Sequence, residues 1–187
     1  MPKIVDHQKM RRDLLQRSFT AFAREGYHGL SMRQLARLLN LTTGSLYHYF
    51  SSKEELFASM LSELVERDVT AALEKVRQEN NPVGKLHALT DYVLENENYF
   101  EQMLFLLFDF YRHHDRFEKE KLIFEKSFER YRRQIETHLG LPFKHVGTMA
   151  VAVFVGLLVQ RMVDPKRIKL KKIKNYLFSL SGPALKH

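Results

Sequence analysis

The sequence predicts an all-α protein. Apolar residues recur three and four positions apart through nearly the whole chain, which is the period of helices that bury one face. Alternating apolar and polar stretches bounded by turn residues are absent, so no half-buried strand is expected. Ser, Asn, Gly and Pro divide the chain into about nine helical segments. The first three form a small N-terminal domain, 1–52, and the rest form a helical bundle, 53–187.

Each segment has its own signals. The first runs about 7–25, with Met10, Leu14, Leu15, Phe19, Phe22 and Ala23 on one face and Gly26 as its stop. The second follows Ser31, whose S-x-x-Q spacing to Gln34 is a capping box, and runs to Leu39. The third is short, about 43–49. The fourth begins at Ser51 and Ser52, where Glu54 and Glu55 complete two overlapping capping boxes, and runs to about Gln78 before Asn81-Pro82. Helices five and six span about 83–95 and 98–113. Helix seven spans about 116–139 and ends at Gly140. Helix eight, about 143–163, stops at Asp164-Pro165; helix nine, about 166–180, stops at Gly182-Pro183. Helix eight has no charge from Val146 to Gln160, short of the roughly 20 apolar residues of a membrane span. It is expected to be buried on nearly all sides, partly by another protomer, with Gly147 and Gly156 allowing close approach.

Composition excludes several classes. There is no cysteine in 187 residues, so disulfides, thiolate zinc sites, iron–sulfur clusters and thiol chemistry are out. The N-terminus is charged where an export signal needs an apolar run, so a cytoplasmic location is expected. The net charge of +8 is localised: six basic residues fall in 166–174 without an acid. A solvated helix face explains that strip best, and a nucleic-acid role must rest on placed residues instead. No G-x-S-x-G, P-loop or H-E-x-x-H occurs, so no enzyme and no cofactor is expected. His113, His114 and Asp115 are adjacent; neighbours on a helix point about 100° apart, which disfavours a shared metal.

Residues 31–50, SMRQLARLLNLTTGSLYHYF, carry the functional signal. Two short helices meet across a tight turn. Ala36 keeps them close, Asn40 suits a positive φ in the turn, and Met32, Leu35, Leu39, Leu41, Leu46 and Phe50 fix the crossing. That is a helix-turn-helix. The second helix presents Thr42, Thr43, Ser45, Tyr47, His48 and Tyr49 with no acid among them, a set suited to phosphate oxygens and base edges. Gly44 keeps its start slim. Lys53 opposes the dipole of helix four, which makes sense beside a phosphate.

The stretch GYHGLSMRQLARLLNLTTGSLYHYFSSKEELF, 26–57, resembles the DNA-binding signature of the TetR family of bacterial transcriptional regulators. The family often has Gly where this chain has Asn40. The resemblance implies that Tyr47, Lys53 and Arg33 hold phosphates, with Ser31 capping helix two and touching the backbone. Thr43, Ser45, His48 and Tyr49 would face the major groove, with Thr42 at its edge and Gly44 at the helix start. It also implies a homodimer through helices eight and nine, a palindromic double-stranded operator, and a repressor released by ligand. The alternative is a DNA-binding regulator without a small-molecule ligand, controlled by concentration or a protein partner.

Ten of the 22 aromatic residues fall in 99–131, more than a slim bundle tiles without voids. The candidate pocket is Tyr92, Phe100, Met103, Leu104, Phe108, Tyr111, Phe124, Phe128 and Tyr131, suited to a small apolar or amphipathic effector. Asp109 and Arg112 flank it, as an ion pair or a polar anchor. With the apolar face of helix nine in the dimer bundle, no membrane partner is expected.

Overall fold

The computed structural model describes residues 6–112, 118–140 and 145–169, with Lys172 and Asn175 beyond them. The described residues form eight helices and no strand: α1 (His7–Glu25), α2 (Met32–Leu38), α3 (Thr43–Tyr49), α4 (Lys53–Val76), α5 (Pro82–Glu95), α6 (Glu97–Arg112), α7 (Glu118–Leu139) and α8 (Val146–Val163). The protein is all-α. The expected helix nine lies mostly outside the described residues, as do His113, His114 and Asp115; residues 165–167 form a turn.

Local chemistry sets the helix ends. Asp6 caps α1 by accepting from the N–H groups of Gln8 and Lys9 at 3.0 and 3.1 Å. The Ser31–Gln34 capping box is formed in both directions. Asn81-Pro82 does not stop α4, which ends earlier, at Val76; it starts α5. Asn81 Oδ1 accepts from the Gly84 N–H at 2.8 Å, and Pro82 stands in the first turn, where a missing N–H leaves no bond unmade.

The chain divides into two compact units. One comprises Met1–Arg67 and Phe105–Phe128, the other Asp68–Leu104 and Glu129–His187. The first is built on aromatic rings. Phe57 lies 4.5 Å from Tyr27, 5.3 Å from Phe22 and 5.8 Å from Phe124, and Phe110 lies 5.0 Å from Phe124. Leu14, Leu15, Leu35, Leu46, Phe50 and Leu56 complete this core. Each side chain so buried stabilises the fold by about 1.5–3 kcal/mol before entropy is counted.

The second unit holds a polar knot. Asp68, 1% exposed, accepts hydroxyl hydrogen bonds from Tyr92 at 3.2 Å, Tyr99 at 2.7 Å and Tyr131 at 2.8 Å. Three helices thus donate to one carboxylate of α4. Burial and the Asp68 charge push the Tyr131 phenol well above its ordinary range.

Helix α8 departs from expectation. Only Gly147 and Leu158 are buried along it, and Met149, Val153 and Val163 are 63%, 51% and 81% exposed. Among the described residues, its own chain does not surround it. Met149, Val153, Gly156, Gln160 and Val163 follow at spacings of four and three, so they share one helix face. A Cβ at Gly147 would collide with the Arg132 carbonyl, so glycine there permits close approach to α7; at Gly156 a Cβ would meet nothing within 4 Å. By length and composition alone α8 could cross a membrane.

Candidate nucleic-acid interface

The short helices α2 and α3 are locked from inside. Leu35, Ala36, Leu39, Leu46 and Phe50 are 0–2% exposed. Ala36 is 1% exposed, so its methyl is fully packed. The turn between them holds Asn40 at φ 57°, as expected for its residue type. The Leu41 N–H then reaches back to the Ala36 carbonyl at 2.8 Å and closes the turn. Arg17 of α1 donates to the Leu39 carbonyl and pairs with Asp13 at 3.3 Å. It satisfies a carbonyl that the end of α2 leaves open.

The outer face of α3 is polar and open. Thr42, Gly44, Tyr47 and His48 are exposed, Tyr47 by 50%; Thr43, Ser45 and Tyr49 are half-buried. Ser31 and Arg33 at the start of α2 are also exposed. Thr42 also caps α3. Its Oγ1 accepts from the Ser45 N–H at 3.0 Å and shares a hydrogen bond with Ser45 Oγ at 2.8 Å. Capping fixes both hydroxyls, leaving Thr43, Tyr47 and His48 as the freer donors. A Cβ at Gly44 would meet only Thr42 Oγ1, at 4.0 Å. The chain's own packing therefore does not demand glycine there.

His7, at the start of α1, is not among the expected site residues. Its ring lies 5.5 Å from His48 and 5.6 Å from Tyr49. It extends the same polar face, and sequence spacing gives no sign of it because 41 positions separate it from His48.

Lys53 is placed differently from its expected role. It is half-buried, its ammonium donates to the carbonyls of Tyr27 and Leu30 at 3.1 Å each, and it sits 4.2 Å above the Tyr27 ring. These contacts already account for a cation in the first turn of α4. Beside it, Ser51's hydroxyl and backbone N–H hold the Glu55 carboxyl below its ordinary range, with Arg11 adding to the effect. Burial works against ionising Glu54, but hydrogen bonds from its own backbone and Ser52, together with the Lys53 charge, outweigh it. Arg11 also stands 4.7 Å over the Phe50 ring and donates to Ser59 Oγ at 2.9 Å.

The aromatic candidates divide between the units. Phe108, Tyr111, Phe124 and Phe128 belong to the first; Tyr92, Phe100, Met103, Leu104 and Tyr131 belong to the second. Phe124 is core, 3% exposed, and packs on Phe57, Phe110 and Tyr111. Tyr92 and Tyr131 spend their hydroxyls on Asp68, and Phe100 packs on Tyr92 and Tyr99 at 6.0 and 5.0 Å. Phe108 is 49% exposed. Asp109 holds backbone: its carboxylate accepts from the Tyr27 N–H at 2.9 Å. Among the described residues no group of side chains is arranged to hold a metal ion.

A helix-turn-helix with an open, acid-free second helix is the arrangement that DNA-binding regulators use to enter the major groove. The model of the bacterial regulatory proteins of the tetR family matches residues 14–60, which span α1 to the first turns of α4. Over that stretch the chain is similar to the tetR family of transcriptional regulators. It is 28% identical over 191 residues to the HTH-type transcriptional regulator PksA of Bacillus subtilis, covering 95% of this chain and 90% of that protein. The repressor AcnR of Corynebacterium diphtheriae is 28% identical over 89 residues, 48% of this chain and 43% of that protein. In fold it is similar to a TetR regulator from Haloarcula marismortui, with a TM-score of 0.73 at 18% identity over 95% of this chain and 98% of the other. The fatty acid degradation regulator FadR from Bacillus halodurans gives 0.71 at 15% identity over 95% and 96%.

Proposed function

We propose that this chain is a cytoplasmic, dimeric, ligand-responsive repressor that binds a palindromic operator. The observation that carries the reading is the open face of α3, where Tyr47 and His48 project from a helix whose opposite side, Leu46 and Phe50, is sealed in the core. Residues 1–52 read the duplex and residues 53–187 take the effector and dimerise. Thr43, Ser45, His48 and Tyr49 face base edges, with Thr42 beside them; Ser31, Arg33, Gly44 and Tyr47 face the backbone.

Two copies associate through the apolar stripe of α8 and through helix nine. This puts two α3 helices in successive major grooves, about 34–36 Å apart. A small apolar or amphipathic effector bound by the helical bundle favours a spacing that no longer fits. The comparisons support this at the level of fold. AibR, with a TM-score of 0.65, was solved with isovaleryl coenzyme A and operator DNA. A regulator from Saccharomonospora viridis, at 0.72, was solved with choline.

The test is titration against genomic fragments from the source organism, followed by two variants. His48→Ala changes base preference, by about 1–3 kcal/mol at the contacted position. Arg33→Ala weakens all sequences alike and lowers the salt slope by about 0.9. Equal losses on every sequence for both variants contradict this division of roles.

A further inference from the structure

The turn between α1 and α2 is gripped on both faces of one residue's backbone. The Tyr27 N–H donates to Asp109 Oδ2 of α6 at 2.9 Å, and the Tyr27 carbonyl accepts from Lys53 Nζ of α4 at 3.1 Å. Lys53 reaches the Leu30 carbonyl as well, again at 3.1 Å. The Tyr27 side chain anchors the same point. It is 0% exposed and lies 4.5 Å from Phe57 and 5.7 Å from Phe110, one residue after Asp109.

Gly26 fits this arrangement. Its φ is +76°, and a Cβ there would stand 2.8 Å from Asp109 Oδ2, where it would push the carboxylate off the amide. Both the backbone conformation and the approach of Asp109 therefore ask for glycine.

From these contacts we infer that Asp109 is a positioning residue for operator recognition, fixing the turn that leads into the reading helices. The turn it holds ends at Ser31, the cap of α2. The buried contacts of Ala36, Leu39 and Leu46 make α3 follow α2. A displacement of the Tyr27 backbone is thus carried to Tyr47 and His48. The hydrogen bond is short-ranged: moving α6 by about 1 Å takes it beyond bonding distance. Asp109 is itself an acid, so it offers nothing to a phosphate. Any help it gives to DNA binding must come through geometry.

The inference rests on α3 being the reading helix, and the test separates the two. The full chain is compared with Asp109→Ala and Asp109→Asn by operator titration at several salt concentrations and by amide hydrogen exchange. The Tyr27 N–H of the wild type, though outside any helix, exchanges slowly. Asp109→Ala speeds that exchange and lowers operator affinity about tenfold, the worth of one hydrogen bond, with salt slope and base preference unchanged. Asp109→Asn, whose amide oxygen accepts the same N–H, restores most of the affinity.

Wild-type affinity in Asp109→Ala overturns the inference. So does an equal loss in Asp109→Asn, which would make the charge the cause. Rapid Tyr27 exchange in the wild type overturns it without any variant, should the alanine form fail to fold. Absence of operator binding by the wild type removes the regulator reading instead, and the exchange measurement still decides whether Asp109 holds the turn.

Discussion

Removing the Tyr131 hydroxyl probes the centre of the second unit. The phenol donates to Asp68 Oδ2 at 2.8 Å, and Tyr99 donates to the same oxygen at 2.7 Å. A hydrogen bond to a charged acceptor contributes about 1.5–3 kcal/mol to stability, so Tyr131→Phe destabilises by that amount. Asp68→Ala does more damage. It leaves three tyrosine hydroxyls without that acceptor, and each one left unsatisfied costs about 1–3 kcal/mol. The decisive quantity is their coupling. Once Asp68 is gone, the Tyr131 hydroxyl has lost its acceptor, and converting it to phenylalanine relieves a burden instead of adding one.

In the Asp68→Ala background, Tyr131→Phe is therefore neutral or stabilising, and the double-mutant cycle gives a coupling of about 1.5–3 kcal/mol. Urea unfolding followed by far-UV circular dichroism at neutral pH measures all four corners. The chain has no tryptophan, so helix content is the more direct signal. Equal costs of Tyr131→Phe in both backgrounds refute the reasoning: the hydroxyl would then be stabilised by something other than the carboxylate.

Alkaline pH gives a second readout of the knot. The Tyr131 phenol is raised in the folded state, so its stabilisation is full below the unfolded value near 10 and is lost as pH climbs toward the folded value; Tyr131→Phe flattens the fall by up to about 1.4 kcal/mol per pH unit. At the turn of the reading domain, Asn40→Val forces a β-branched residue to φ 57° and costs about 1–2 kcal/mol, while Asn40→Gly costs little or stabilises, as thermal melts of the two will show. On α8, Val153→Glu and Gly156→Leu each lower the sedimentation mass at micromolar concentration if the exposed stripe joins two copies; an unchanged mass places the interface elsewhere.

What is legible in the sequence is what local chemistry decides. The Ser31–Gln34 box, the positive φ of Asn40 and the buried set Leu35, Ala36, Leu46 and Phe50 each depend on residues within a few positions of one another. The partners of Lys53 do not. The carbonyls of Tyr27 and Leu30 are 26 and 23 positions away, and without them a cation at that spot reads as half of a phosphate contact. Asp109 meets Tyr27 across 82 positions. Asp68 gives no signal because, next to Glu66 and Arg67, it reads as part of a solvated helix face until three tyrosines from other helices converge on it. The aromatic belt stands out in the sequence, but its period does not separate Phe110 and Phe124, which are core, from the exposed Phe105 and Phe108.

Helix α8 differs from its sequence pattern for a more general reason. An all-round apolar pattern states that the helix must be covered, and it does not state by what. Among the described residues, its own chain leaves the stripe from Met149 to Val163 open. The reading head has the complementary deficiency. A seven-residue α3 offers a handful of contacts to base edges, each discriminating by about 1–3 kcal/mol, too few for one copy to select a site in a genome. In the proposed dimer, joining two copies through α8 would meet both needs at once: the apolar face would leave water, and the second head would bind at an effective concentration far above that of free protein. The same association that hides a hydrophobic helix would thus double the length of DNA that can be read, which is why the stripe on α8 and the polar face of α3 belong to one functional account.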